Sequence, residues 1–195
     1  MASLAICGTS NLDKKADPNY RYKMSPIIRK VEGRGNGIKT CIVNCAEIAG
    51  QLHRTPDELC KFFGLELAAQ SRITDDRAII NGKHTNEVLQ KILDLFIDRF
   101  VLCPICKLPE TKLSVKSNGN IYHKCKACGT KSLIDFSEKL CKFIIAQRKK
   151  EKREEKEKKK EKKEKKEKKA ISQKMTQTFE EEIFSLNKDF AVAKF

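Results

Sequence analysis

The strongest periodic signal lies between Asn86 and Arg99, where Val88, Leu89, Ile92, Leu93, Phe96 and Ile97 recur at three- and four-residue spacing. Apolar residues so spaced share one face of an α-helix, so the segment predicts an amphipathic helix that buries a wide face. Two shorter helices are predicted upstream. Asn44, with Glu47 three residues on, reads as a capping box opening a helix whose stripe includes Ile48 and Leu52. Thr55, Pro56 and Glu58 open the next in the same way; Leu59, Phe62 and Phe63 face inward, Lys61 stays exposed and Gly64 stops the helix.

Strand-like runs flank these helices. Ile27 to Glu32 and Ile38 to Val43 predict a hairpin about Gly33-Arg34-Gly35-Asn36-Gly37, a loop whose glycines allow positive φ and which carries basic decoration. Leu65 to Ile73 and Ala78 to Ile80 predict two more strands, with Asn81-Gly82 as a turn. Residues 1–20 show neither period and are expected to form a flexible arm. The arm leads into Tyr20-Arg21-Tyr22-Lys23-Met24, where aromatic and basic side chains alternate; Pro26 disfavours a helix there, so the string is expected to be extended and exposed.

After the long helix, Phe100 to Leu102 run directly into Cys103-Pro104-Ile105-Cys106, and Cys125-Lys126-Ala127-Cys128 follows after eighteen residues. Two C-x-x-C knuckles at this separation each aim two sulfurs at one point, which predicts a tetrahedral zinc on Cys103, Cys106, Cys125 and Cys128. Four thiolates leave no position for water, so the metal is expected to be structural. Lys112 to Val115, Ile121 to Lys124 and Ser132 to Phe136 supply the strands of a zinc ribbon, with Ser117-Asn118-Gly119-Asn120 as its hairpin turn. His123 is expected to be an ordinary strand histidine. Glu138 to Ala146 predicts a helix with Cys141 packed beside Phe143 and Ile144.

Composition changes the picture at the C-terminal end. Residues 148–169 hold 15 Lys or Arg and 7 Glu with no apolar side chain, and are expected to be either disordered or a lone charged helix that acts as a spacer. In residues 170–195, Phe179, Ile183, Leu186 and Phe190 share one helical face. The formal charge of +15 predicts accumulation near polyanions such as RNA. Nine cysteines without an apolar leader point to a reducing, cytoplasmic setting, and no window is apolar enough to span a bilayer. The expected class is α+β: an arm (1–20), a small mixed α/β subdomain (21–100), a four-cysteine zinc ribbon with its helix (101–146), a charged linker (147–169) and a short helical tail (170–195).

Taken in order, Tyr20 to Met24, Lys30 to Thr40, Ile42-Val43-Asn44, Lys61-Phe62-Phe63-Gly64, Asn81-Gly82 and the Cys103 to Cys128 ribbon closely resemble the N-terminal half of the eukaryotic translation initiation factor 5 family. The resemblance covers residues 11–145. It implies an α/β subdomain and zinc ribbon that activate GTP hydrolysis by translation initiation factor 2 during start-codon recognition. On that implication Arg21 is the arginine finger, Lys39 and Lys61 support it, and GTP is held only by the partner's γ subunit. Tyr20, Tyr22, Lys23, Arg34 and Asn36 are then expected to face the partner, the small ribosomal subunit, or initiator tRNA and rRNA. The β subunit of factor 2 shares this architecture, which leaves a structural, RNA-binding role as the alternative, with a general zinc-ribbon nucleic-acid module as a third. No cysteine, histidine and carboxylate set forms a catalytic constellation, so the chain is not expected to be an enzyme in its own right.

Overall fold

A computed structural model describes residues 3–9, 11–116, 118–134, 139–151, 153–154 and 157. Residues Met1–Ala146 form one compact unit and Gln147–Phe195 a second.

The first unit is built on a four-stranded antiparallel sheet made of β3 (Arg29–Glu32), β4 (Lys39–Ile42), β5 (Ser71–Thr74) and β6 (Arg77–Asn81), in the order β3-β4-β6-β5. Its hairpins are set by local backbone chemistry. The β3–β4 hairpin closes through Gly35–Gly37, pairing Glu32 with Lys39. Gly33 has φ +90° and a Cβ there would stand 2.4 Å from the Gly37 carbonyl, so only glycine fits. The β5–β6 hairpin turns on Asp75 and Asp76, with φ 49° and 61°. A two-residue turn with both φ positive matches the right-handed twist of the strands, and aspartate tolerates it.

Helices α2 (Cys45–Gln51) and α3 (Pro56–Glu66) pack on the sheet, α4 (Asn86–Phe96) packs on α3, and their apolar side chains join those of the sheet in one core. The capping box at Thr55 forms as expected: its hydroxyl accepts the Glu58 N–H, and the Glu58 carboxylate accepts the Thr55 N–H. The box at Asn44 does not form. Its side chain accepts the Ile28 N–H at 2.9 Å and donates to the Pro26 carbonyl at 2.8 Å, tying the chain before β3 to the start of α2. Gly64 does not stop α3, which runs on to Glu66. A Cβ at Gly64 would lie 2.3 Å from the Ser71 hydroxyl oxygen, so this glycine serves the close approach of α3 to β5. The strand expected from Leu65 is consequently shorter, because Leu65 and Glu66 remain helical and β5 starts at Ser71.

Helix α4 passes into a π turn over Ile97–Val101, with the Leu102 N–H reaching the Ile97 carbonyl five residues back at 2.9 Å. Ile97, Phe100 and Val101 are all buried. Phe62, Phe96 and Phe100 form a ring cluster with centroids 5.2 to 5.8 Å apart. The ribbon follows at once: β7 (Thr111–Val115), β8 (Ile121–Cys125) and β9 (Lys131–Leu133) in that order, each antiparallel to the next. Ile121 and Ile134 join the same core as Phe62 and Phe100, as do Leu140, Cys141 and Ile144 from helical residues 139–146. The seam expected at residue 100 thus lies inside one continuous apolar core.

The first twenty residues also depart from expectation. β1 (Leu4–Ala5) pairs with β2 (Lys23–Met24), Leu4 opposite Met24, and α1 (Leu12–Ala16) lies between them in the chain. Ile6 and Cys7 are buried. Thr9 donates its N–H to the Asp98 carboxylate at 2.8 Å, and Lys15 pairs with Asp94 at 3.1 Å. The expected arm is therefore a strap laid against the end of α4. Its buried residues are too few and too irregularly spaced to show as a period.

In the second unit the described residues, 147–151, 153–154 and 157, are helical. The rest of the charged run and the Phe179, Ile183, Leu186 and Phe190 stripe lie outside the described residues.

Candidate functional site

The two knuckles are local structures of the same kind. In the first, the Lys107 N–H donates to the Cys103 carbonyl at 2.9 Å and the Cys103 N–H to the Leu108 carbonyl at 3.0 Å; in the second, the Cys125 N–H donates to the Thr130 carbonyl at 3.0 Å. The residue after the second cysteine takes positive φ in both, 55° at Lys107 and 72° at Gly129. Lysine in that region costs roughly 1–2 kcal/mol, a strain tolerated where the turn is otherwise fixed. The four sulfurs of Cys103, Cys106, Cys125 and Cys128 lie within 4.8 Å of one another. The Cys103–Cys128 and Cys106–Cys125 separations are each 3.6 Å. A tetrahedral ion with metal–sulfur bonds of about 2.3 Å needs sulfurs about 3.8 Å apart, so the set fits zinc.

The sulfurs differ in acidity. Burial pushes the Cys106 thiol up to about 12, and the other three sulfurs add to this. Hydrogen bonding with the Thr130 side chain and backbone brings Cys128 down to about 6. His123 stands outside the cluster: it is 5% exposed on β8, and burial followed by the nearby Arg54 charge lowers it to about 4. The reading of His123 as a strand histidine agrees with this placement.

Arg21 lies exposed just ahead of β2. The tyrosines on either side are half-buried, with ring centroids 5.7 Å apart in an edge-to-face arrangement. Tyr20 donates its hydroxyl to the Ile6 carbonyl at 3.1 Å, and Tyr22 donates to the Glu110 carboxylate. Burial raises the Tyr20 phenol to about 12, while the hydrogen bond to Glu110 is the main cause that raises Tyr22. Lys23 is exposed and its ammonium donates to the Pro18 carbonyl at 2.8 Å. Arg34 and Asn36 are exposed in the β3–β4 loop.

Lys39 and Lys61 come together elsewhere. Both line an open cleft of about 690 Å³ between the end of α3 and the β5–β6 face, where Arg72 and Lys139 join them. Arg21 is not among the residues lining it. Lys61 also stands 6.0 Å from the Phe143 ring centroid. Among the described residues, four cations and no carboxylate line this cleft, which gives it the character of an anion-attracting surface. Arg72 is not legible as a site residue in the sequence: alternation sends it outward in either strand length, and its place beside Lys39 and Lys61 depends on the pairing of β5 with β6. Glu110 carries no sequence signal; it is a lone acid in the loop after the first knuckle.

A family described as the domain found in initiation factors 2B and 5 matches residues 12–131. The chain is 46% identical over 145 residues to eukaryotic translation initiation factor 5 of Saccharomyces cerevisiae, covering 73% of this chain and 35% of the relative. It is 50% identical over 133 residues to the Mus musculus protein of that name, covering 67% and 31%. Against the Caenorhabditis elegans protein it is 52% identical over 137 residues, covering 69% and 31%. The chain thus spans about a third of the length of the curated relatives it matches.

Proposed function

Because the chain belongs to the family defined by the domain found in initiation factors 2B and 5, we propose that it is a cytoplasmic translation initiation factor that activates GTP hydrolysis in trans, with Arg21 as the arginine finger. The observation that carries this reading is the setting of Arg21, an exposed residue flanked in the chain by two half-buried tyrosines whose hydroxyls are both engaged. A planar guanidinium can bridge β- and γ-phosphate oxygens as negative charge shifts in the transition state, and a finger supplied in trans is worth about 10³–10⁵ in rate.

The GTP belongs to the γ subunit of translation initiation factor 2, with its β subunit, the small ribosomal subunit and initiator tRNA as neighbours in the assembly. Lys39 and Lys61 act from their own cleft as positioning charges, since an ammonium offers no planar fork. Tyr20, Tyr22, Lys23, Arg34 and Asn36 form the surrounding contact surface for partner or RNA. Zinc on Cys103, Cys106, Cys125 and Cys128 supplies structure rather than chemistry, because four thiolates fill its coordination shell.

Single-turnover phosphate release from GTP-loaded factor 2 tests the reading. Arg21→Ala is expected to abolish stimulation while leaving binding nearly unchanged; stimulation at the parent level would remove the finger assignment. The description of the matched domain includes initiation factor 2B, which keeps a β-subunit-like, RNA-binding role as the second reading. An inert parent chain that co-purifies stoichiometrically with the γ subunit would favour it.

A further inference from the structure

The segment that carries Arg21 is gripped from two directions. On one side is the strap: the Ile6 N–H donates to the Tyr22 carbonyl at 2.9 Å, and β1 pairs with β2 immediately after. On the other side is the ribbon, through the hydroxyl of Tyr22 on the Glu110 carboxylate. Glu110 stands between Cys106 and β7, and its own carbonyl accepts the Lys126 N–H at 2.8 Å. Lys126 is the residue directly after Cys125. The acceptor of the Tyr22 hydroxyl is therefore fixed by a backbone contact that joins the loop after the first knuckle to the second knuckle.

A long arginine side chain leaves the backbone in the direction set by its Cα–Cβ bond, which depends on the φ and ψ of its own residue and on the anchorage of its neighbours. A phenol bonded to a carboxylate makes a charge-assisted contact, stronger than a neutral one. Fixing both flanks also reduces the ordering cost that a guanidinium would otherwise meet on delivery to a phosphate. We infer that Glu110 is a positioning residue: through Tyr22 it sets the direction in which Arg21 leaves the surface, and so ties presentation of the guanidinium to the two cysteine knuckles. The inference rests on the trans-acting reading of Arg21.

The test compares the full chain with Tyr22→Phe, Glu110→Ala, Glu110→Gln, the Tyr22→Phe/Glu110→Ala double variant and Arg21→Ala. Single-turnover GTP hydrolysis by factor 2 on small ribosomal subunits is titrated with each. Tyr22→Phe and Glu110→Ala are each expected to lower the saturating rate about tenfold with the half-saturating concentration unchanged. The double variant should be no slower than either single one. Glu110→Gln keeps an acceptor oxygen and should stay close to the parent, an outcome that mere loss of stability would not produce. Amide exchange over residues 20–24 should quicken in Glu110→Ala and not in Glu110→Gln. Tyr22→Phe leaves the ribbon untouched, so the question stays answerable if Glu110→Ala folds poorly. Parent-level rates for Tyr22→Phe and Glu110→Ala beside an inactive Arg21→Ala would overturn the positioning role and leave the finger standing, as would additive losses in the double variant. Parent-level activity of Arg21→Ala would overturn both.

Discussion

Arg54 and Thr111 are joined twice: the guanidinium donates to the Thr111 carbonyl at 2.8 Å and to its hydroxyl at 2.7 Å. The same fork donates to the Phe100 carbonyl from Nε and Nη2 and to the His53 carbonyl from Nη1. The Thr111 hydroxyl in turn donates to the Val101 carbonyl. One side chain, 6% exposed, thereby binds together the turn after α2, the π turn and the first residue of the ribbon's β7. Arg54→Ala would leave the Phe100 and Thr111 carbonyls buried without these donors, at a cost of about 3 kcal/mol. A urea titration should show a lower midpoint with an unchanged slope. Arg54→Lys should recover less than half of the loss, because an ammonium cannot reach three separate carbonyls at once.

Gly64→Ala should destabilise the protein even though alanine is the better helix former. The added methyl would meet the Ser71 hydroxyl oxygen at 2.3 Å, the Ser71 Cβ at 2.9 Å and the Ala69 carbonyl oxygen at 3.0 Å. Overpacking of this kind costs about 1–3 kcal/mol. Thermal unfolding of Gly64→Ala beside Gly64→Ala/Ser71→Gly should show partial recovery in the double variant.

Tyrosine ionisation offers a spectroscopic check on the strap. Burial holds the Tyr20 phenol up at about 12, above its ordinary value of 10. A group whose acidity is weakened by folding ionises first in the unfolded chain, so its contribution to stability is intact below pH 10 and lost as the pH rises through 12. An absorbance titration near the tyrosinate band should show a late step that Tyr20→Phe removes.

Removal of metal should loosen the ribbon first. The knuckles hold the ends of β7 and β8 through Cys125, which pairs with Thr111. A chelator is expected to raise amide exchange across Thr111 to Cys125 while exchange in β4 and β6 changes little. Equal acceleration in both sheets would show that the metal supports the whole core rather than its ribbon.

Long, strongly patterned features are legible in the sequence. The α4 stripe, apart from Val88, which is exposed, the Thr55 capping box and the cysteine knuckles each rest on one local rule that nothing distant overrides. The features that are not legible depend on neighbours far away in the chain. Asn44 gives up its cap to Ile28 and Pro26, Gly64 answers to Ser71, and the Asp75-Asp76 turn lacks the glycine that usually marks such a hairpin. In the candidate site, the four sulfurs can be named from spacing. The pairing of Lys39 and Lys61 with Arg72 and Lys139 requires the sheet to be built first.

The strap has a consequence for synthesis on the ribosome. Thr9 meets Asp98 across 89 residues and Tyr22 meets Glu110 across 88. Contacts of such long sequence separation close late, because the loop entropy is lost before they form. The N-terminal residues leave the exit tunnel first, yet their anchor points emerge only after most of the unit has been made. Nascent chains that end before Glu110 contain Tyr22 without the carboxylate that accepts its hydroxyl, so this tie between the N-terminal segment and the ribbon closes late in translation.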